Sequence, residues 1–172
     1  KSMAMIGGFV SGDHKVIHFL RYNLRSQIYA KSMPAAMEVG ALKRLELIRN
    51  HPELRERLWA NTRAIQNGLR ERGMDLGNSG QTPVTSVVFR APDSVVGALV
   101  MDVRENMNLF LSTVTYPVIE RGYFMLRIIP TAAHTEADVQ YTLDCFSQVY
   151  EKLKSGIYEH GSLEAARAAA TV

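Results

Sequence analysis

One cysteine, Cys145, is all the thiol chemistry in 172 residues. It leaves no partner for an internal disulfide and excludes a multi-cysteine zinc site, and it fits a reducing compartment. No apolar run approaches the roughly 18 residues of a membrane-spanning helix. Lys1 is followed only by a short apolar stretch that Gly7 and Gly8 interrupt, which does not read as a secretory signal. Neither sign of charge dominates, with 20 Lys and Arg against 17 Asp and Glu and a net charge of +3. The bases interleave with acids, as in Arg55-Glu56-Arg57 and Arg70-Glu71-Arg72, which describes a solvated helix face and not a nucleic-acid stripe. A P-loop, a dinucleotide fingerprint and a His-Glu-x-x-His motif are all missing. These absences point to a cytoplasmic protein, with no nucleic-acid partner and no membrane indicated.

What is present is a globular composition, 47% hydrophobic and 22% charged. Gly8-Phe9-Val10 reads as a short buried strand that Ser11-Gly12-Asp13 ends. His14 to Arg25 carries Val16, Ile17, Phe19, Leu20 and Leu24 at helical spacing. Pro34 suits the first turn of a second helix, with Met37, Ala41, Leu45 and Ile48 on one face. Asn50-His51-Pro52-Glu53 marks a third start, with Asn50 as the cap. Leu54, Leu58, Ile65 and Leu69 are its stripe, and Gly73 is its stop.

Beyond the Gly77-Asn78-Ser79-Gly80 loop the period changes. Thr85 to Phe89 reads as a strand. Pro92 to Glu105 reads as a helix with Val95, Val96, Leu99, Val100 and Val103 inward. Leu109 to Val114 and Tyr123 to Ile129 read as strands, ended by Tyr116-Pro117 and Pro130. Thr135-Glu136-Ala137-Asp138 resembles a capping box and opens a last helix. Val139, Leu143, Phe146, Tyr150 and Leu153 form its stripe, and Gly156 closes it. The order is strand, helices, then βαββα, an α/β or α+β chain with a boundary near residues 73–80. The first part cannot close its own core, because a lone strand has no ladder partner. The second part can form a small sheet covered by helices.

Five histidines lie scattered at 14, 18, 51, 134 and 160. His14 and His18 have metal-compatible helical spacing, but no third ligand lies near them in the chain, so no metal site is expected. The string Lys1-Ser2-Met3-Ala4-Met5-Ile6-Gly7-Gly8-Phe9 is more telling. A lysine beside small residues and a Gly-Gly turn lets backbone approach a planar ligand closely.

That string, continued through Val10-Ser11-Gly12-Asp13, resembles the lysine loop of the α-oxoamine synthases, pyridoxal-phosphate enzymes of the class II aminotransferase group. The resemblance continues through Arg21-Tyr22-Asn23-Leu24-Arg25-Ser26 and Ser32-Met33-Pro34-Ala35. It returns at Leu126-Arg127-Ile128-Ile129-Pro130-Thr131-Ala132-Ala133-His134-Thr135. Within the group, the serine after the lysine, the Ile-Gly-Gly-Phe and the Arg-x-Asn-x-Arg-Ser run look most like serine palmitoyltransferase. Glycine C-acetyltransferase and 8-amino-7-oxononanoate synthase are the neighbouring alternatives.

The resemblance implies an α/β fold, the C-terminal portion of a fold-type I pyridoxal-phosphate transferase. Residues 1–75 would end the cofactor-binding large domain, 76–161 would be the small α+β domain, and 162–172 a frayed tail. Lys1 matches the lysine that holds pyridoxal 5'-phosphate as a Schiff base and takes the α-proton of the amino acid. Arg127 matches the arginine that pairs with the substrate carboxylate, a task suited to a planar fork. The implied reaction condenses an amino acid with an acyl-CoA, with decarboxylation to an α-amino ketone, in a homodimer. At the family's Ser/Thr position for the cofactor phosphate this sequence has Ala30, with Lys31 and Ser32 beside it. The family's stacking histidine, pyridine-pairing aspartate and most of its phosphate cradle belong upstream of Lys1. The chain is therefore expected to be the C-terminal half of a longer enzyme, inactive by itself. A non-catalytic chain that only dimerises is the alternative from another class.

Overall fold

The structure is a computed structural model, and it describes residues 3–160. Lys1 and the expected frayed tail at 162–172 lie outside the described residues. The chain divides into two compact units, Lys1–Pro52 and Glu53–Val172.

The first unit holds three helices: α1 His14–Asn23, α2 Arg25–Tyr29 and α3 Ala35–Asn50. Asp13 caps α1, its Oδ1 accepting the Lys15 N–H at 2.8 Å. The single helix expected from His14 to Arg25 is instead broken at Leu24, whose backbone is extended (φ −80°, ψ 107°). One turn earlier the Asn23 amide donates to the Phe19 carbonyl at 2.8 Å, a local bond that competes with helix continuation. Pro34 stands one step outside α3 as its N-cap residue. The strand expected at Gly8-Phe9-Val10 is not formed; Phe9 is 88% exposed there. A strand exists only through its ladder, and no described segment of this unit supplies one. None of the three helices contains a buried residue. The apolar faces read from the sequence are present but not buried: Ile17, Leu20, Met37 and Ala41 are half-buried, and Val16, Phe19, Leu45 and Ile48 are exposed.

The second unit is built on α4, Pro52–Glu71, and a three-stranded antiparallel sheet. Its strands are β1 Thr85–Arg90, β2 Ser112–Val114 and β3 Tyr123–Ile128, in the order β1-β3-β2. Two further helices cover it, α5 Asp93–Glu105 and α6 Glu136–Lys154, followed by a 3-10 turn at Ile157–His160. The pleat sends Val87, Phe89, Phe124, Leu126 and Ile128 to one face, where all are buried. Ile65 and Leu69 of α4, Val95, Leu99 and Val103 of α5, and Val139, Leu143, Phe146 and Val149 of α6 complete that core. Phe89 and Phe124 stack across the ladder with ring centroids 5.0 Å apart. The stripes read from periodicity on α5 and α6 are therefore the core, with Val100, Tyr150 and Leu153 at its margin; on α4 only Ile65 and Leu69 of the stripe are core, Leu58 being half-buried and Leu54 exposed near the helix start.

Strand β2 is shorter than the expected Leu109–Val114. The Leu109 N–H donates to the Val103 carbonyl at 3.0 Å, so this residue finishes α5 and cannot enter a ladder. Asn108 adopts φ +48° to turn the chain there, a conformation that asparagine tolerates. The capping box of α6 forms as read: the Thr135 hydroxyl accepts the Asp138 N–H, and the Asp138 carboxylate accepts the Thr135 N–H at 2.7 Å. Gly73 and Gly156 end their segments at φ +74°.

Periodicity gave no sign of one polar cluster. Asp102, on the inward side of α5, has a fully buried carboxylate. Its Oδ2 accepts from Lys152 Nζ at 2.8 Å and from the Tyr158 hydroxyl at 2.7 Å. Its Oδ1 accepts from Asn106 Nδ2 at 2.7 Å. Burial opposes ionisation, but the three donors outweigh it and hold the carboxyl below its usual range. Burial and the adjacent carboxylate push the Tyr158 hydroxyl well above its own usual range. The cluster joins α5, α6 and the closing 3-10 turn.

Candidate functional site

Alternation on β3 decides where Arg127 goes. Phe124, Leu126 and Ile128 take the core face, so Tyr123, Met125 and Arg127 face the other way. Among the described residues the helices α4, α5 and α6 contribute to the core on the first face, and Arg127 on the second is exposed. In register, Arg127 sits opposite Ser86 of β1 on one side and Ser112 of β2 on the other. Its Nε–H donates to Ser112 Oγ at 3.1 Å. Among the described residues no carboxylate forms an ion pair with it. The result is an always-charged planar donor, flanked by two small hydroxyl side chains on a strand whose other face is locked in the core. The arrangement can take a carboxylate.

The stretch after Arg127 is tied down. Asn61 of α4 donates through one amide to the Thr131 carbonyl at 3.1 Å and the His134 carbonyl at 2.8 Å. The Thr131 N–H donates to His134 Nδ1 at 2.8 Å, which leaves the ring proton on Nε2 when the imidazole is neutral. Thr135 and Asp138 then cap α6. Asp138 is held below its ordinary range by the Thr135 backbone and side-chain donors. This loop keeps the end of β3 in place, and His134 acts in it as a staple.

In the first unit, residues 3–6 form a turn beside an apolar cleft lined by Met3, Met5, Ile6, Gly7, Gly8, Phe9, Met33 and Ala41. Gly7 has φ +106°, and a Cβ there would run into the Met33 sulfur, so the backbone approach needs glycine. A glycine-backed apolar wall fits one face of a planar ring. Its described lining residues include no cation for a phosphate and no carboxylate for a ring nitrogen. Lys1 lies outside the described residues, so the structure does not bring it together with Arg127. Ala30, Lys31 and Ser32 are all exposed, in the extended segment after α2. His14 and His18 face each other with ring centroids 6.0 Å apart. No group of three or more metal-ligating side chains is found among the described residues.

Sequence reasoning singled out Arg127 but not Ser112 or Ser86. Both serines occupy outward positions of short strands, a signal too common to select them. Only the cross-strand register places them beside the arginine.

A strand-borne arginine next to a tied loop, with a glycine-rich turn at the other end of the chain, is consistent with what similarity establishes. Residues 1–146 match aminotransferase class I and II, and the chain belongs to that family. Within it the chain is an α-oxoamine synthase-type sequence with the α/β fold of the fold-type I pyridoxal-phosphate enzymes. It is 51% identical over 158 residues to the cysteate-C-fatty acyltransferase of Capnocytophaga ochracea, covering 92% of this chain and 37% of that protein. It is 33% identical over 153 residues to the 8-amino-7-oxononanoate synthase of Symbiobacterium thermophilum, covering 89% and 38%. A solved structure of SPT (serine palmitoyltransferase) with PLP internal aldimine superposes with a TM-score of 0.80 at 26% identity, covering 90% and 38%. The chain thus spans under two-fifths of the length of these relatives, corresponding to a C-terminal portion. The α-oxoamine synthases use pyridoxal phosphate and condense amino acids with acyl-CoA. No described helix is long and apolar enough to cross a membrane.

Proposed function

We propose that this chain is part of a pyridoxal-phosphate-dependent acyltransferase that joins an α-amino acid to a fatty acyl-CoA with loss of carbon dioxide. The observation that carries the reading is Arg127, exposed on an open sheet face and unpaired with any described carboxylate. The amino acid's α-carboxylate is the anion it would hold. Arg127 binds and orients that carboxylate, the group later lost. Lys1 is the residue that would hold the cofactor and move the α-proton, and the Gly7–Gly8 wall would take one face of the cofactor ring. The cofactor, when bound, supplies the electron sink that makes an α-carbanion accessible. Residues 1–75 would then close the cofactor-binding domain and 76–161 would form the small domain, in a homodimer.

Cysteate is the amino acid favoured by the 51% relative. Serine is the second reading, supported by the likeness of the Lys1–Asp13 loop to serine palmitoyltransferase. Both present the same α-carboxylate to Arg127, so the side chain must be told apart elsewhere.

The test uses the full-length cofactor-loaded protein, titrated calorimetrically with cysteate, serine and their decarboxylated amines, taurine and ethanolamine. Arg127→Ala should weaken the preferred amino acid about ten- to a hundredfold, the worth of a charge-assisted pair of about 1.5–3 kcal/mol. It should leave the matching amine unchanged. Arg127→Lys should restore only part, since an ammonium cannot make two parallel bonds. Amino-acid affinity surviving Arg127→Ala within about twofold would remove Arg127 from the site. Turnover with each amino acid against short and long acyl-CoA then assigns the substrates.

A further inference from the structure

We infer that Ser112 is the positioning residue for Arg127, setting which edge of the guanidinium meets the carboxylate. The inference rests on the proposed role of Arg127. Three observations carry it. Ser112 and Arg127 are paired directly across the β2–β3 ladder, so their Cβ atoms are held close by backbone hydrogen bonds on neighbouring strands. The Arg127 Nε–H donates to Ser112 Oγ at 3.1 Å. Arg127 is exposed, so burial among the described residues does not hold its long side chain in one rotamer.

The hydrogen bond makes that choice. With Nε committed to Ser112, the side-on edge of the guanidinium is engaged. The two terminal nitrogens remain as an end-on fork that matches the two oxygens of a carboxylate. A serine suits this task better than a stronger acceptor. An aspartate at 112 would pair with the arginine, neutralise it and compete for the same fork. Ser86, in register on the opposite flank, is small as well, so neither neighbouring strand crowds the fork. Ser112 accepts from Arg127 and is not required to touch the ligand.

The experiment is a coupling cycle in the full-length cofactor-loaded protein, with binding of the preferred amino acid and its decarboxylated amine read by calorimetry. Ser112→Ala should weaken the amino acid about three- to tenfold, less than loss of the arginine itself. Binding of the amine and the unfolding temperature should not move. Ser112→Thr, which keeps the hydroxyl on a β-branched side chain suited to a strand, should restore affinity to within about twofold. In an Arg127→Ala background, Ser112→Ala should have no further effect. Full effect of Arg127→Ala with none from Ser112→Ala overturns this inference and leaves the role of Arg127 standing. No effect from Arg127→Ala overturns both. Equal loss for amino acid and amine, or loss that persists in the Arg127→Ala background, assigns Ser112 a general structural role and overturns the inference too.

Discussion

Asp102 shows how much a single side chain can hold together and how it makes stability depend on pH. Its carboxylate is fully buried against Lys152, Tyr158 and Asn106. Asp102→Asn removes the charge and replaces one of the two accepting oxygens with a donor amide, so the Lys152 ammonium loses its counter-charge and one of the three donors loses its acceptor, which should destabilise the fold by about 2–4 kcal/mol. The folded carboxyl lies below its usual range, so the unfolded chain binds the proton first as pH falls. Its contribution is complete above the unfolded value of about 4 and is lost as pH drops through the lower folded value. Tyr158 has the opposite sign: its raised folded value means the unfolded chain ionises first, so stability falls as pH climbs past about 10. Unfolding temperature measured against pH should show both limbs in the parent. The Asp102→Asn variant should lose this part of the acid limb; an unchanged acid limb would assign it to other carboxyls. Arg127 was legible at this scale through the resemblance of the Leu126–Thr135 stretch to the family, with its apolar neighbours Leu126, Ile128 and Ile129 in support. Asp102 was not, because its neighbours Met101 and Val103 make it look like one polar position on an ordinary amphipathic helix.

At the scale of elements, periodicity found the long helices and the three strands of the second unit, because burying one face imposes period on the sequence. It erred where a local bond redirected the chain, at Asn23 and Leu109, since such bonds leave the hydrophobic pattern intact. Two helical glycines give opposite expectations that no sequence pattern separates. A Cβ on Gly68 of α4 would lie 2.5 Å from Leu143 Cδ1 and 2.9 Å from its Cδ2, and Leu143 is itself buried on α6. Gly68→Ala should therefore cost about 1–3 kcal/mol from overpacking despite the better helix propensity. Gly97 of α5 is exposed, and its Cβ would meet nothing within 4 Å. Gly97→Ala should stabilise by about 0.5–1 kcal/mol. Urea titration of the two variants checks both signs; stabilisation by Gly68→Ala would mean that α4 and α6 approach less closely than described.

For the molecule as a whole, the distribution of buried residues is lopsided. Every buried side chain named in the core lies between Thr62 and Tyr158. The helices of the first unit bury nothing, while Phe9, Phe19, Tyr29, Val39 and Leu42 are each more than half exposed. Such surface drives association. The 172-residue chain by itself should self-associate in size-exclusion chromatography, whereas a chain starting at Pro52 should be monodisperse. Its unfolding temperature should match the longer chain's within about 2 °C, since the cooperative core is unchanged. Amide exchange should be slow in β3 and α6 and fast through α1 to α3. A fall of more than about 5 °C on removing the first unit would show that it stabilises the core after all.

Composition and periodicity by themselves determined most element types, the inward stripes of α5 and α6, and the Ile65–Leu69 part of the α4 stripe. These follow from burial, which every buried position in a segment reports together. Resemblance of the Lys1–Asp13 and Leu126–Thr135 stretches determined the family, its cofactor and the interest of Lys1 and Arg127. Only the tertiary structure decided that Gly8–Val10 forms no ladder, that Asp102 anchors two helices and a turn, and that Ser86 and Ser112 flank the arginine. Each of these depends on which distant segment becomes a neighbour. A hydroxyl 15 positions from Arg127 carries no mark of that pairing until the strand register is set.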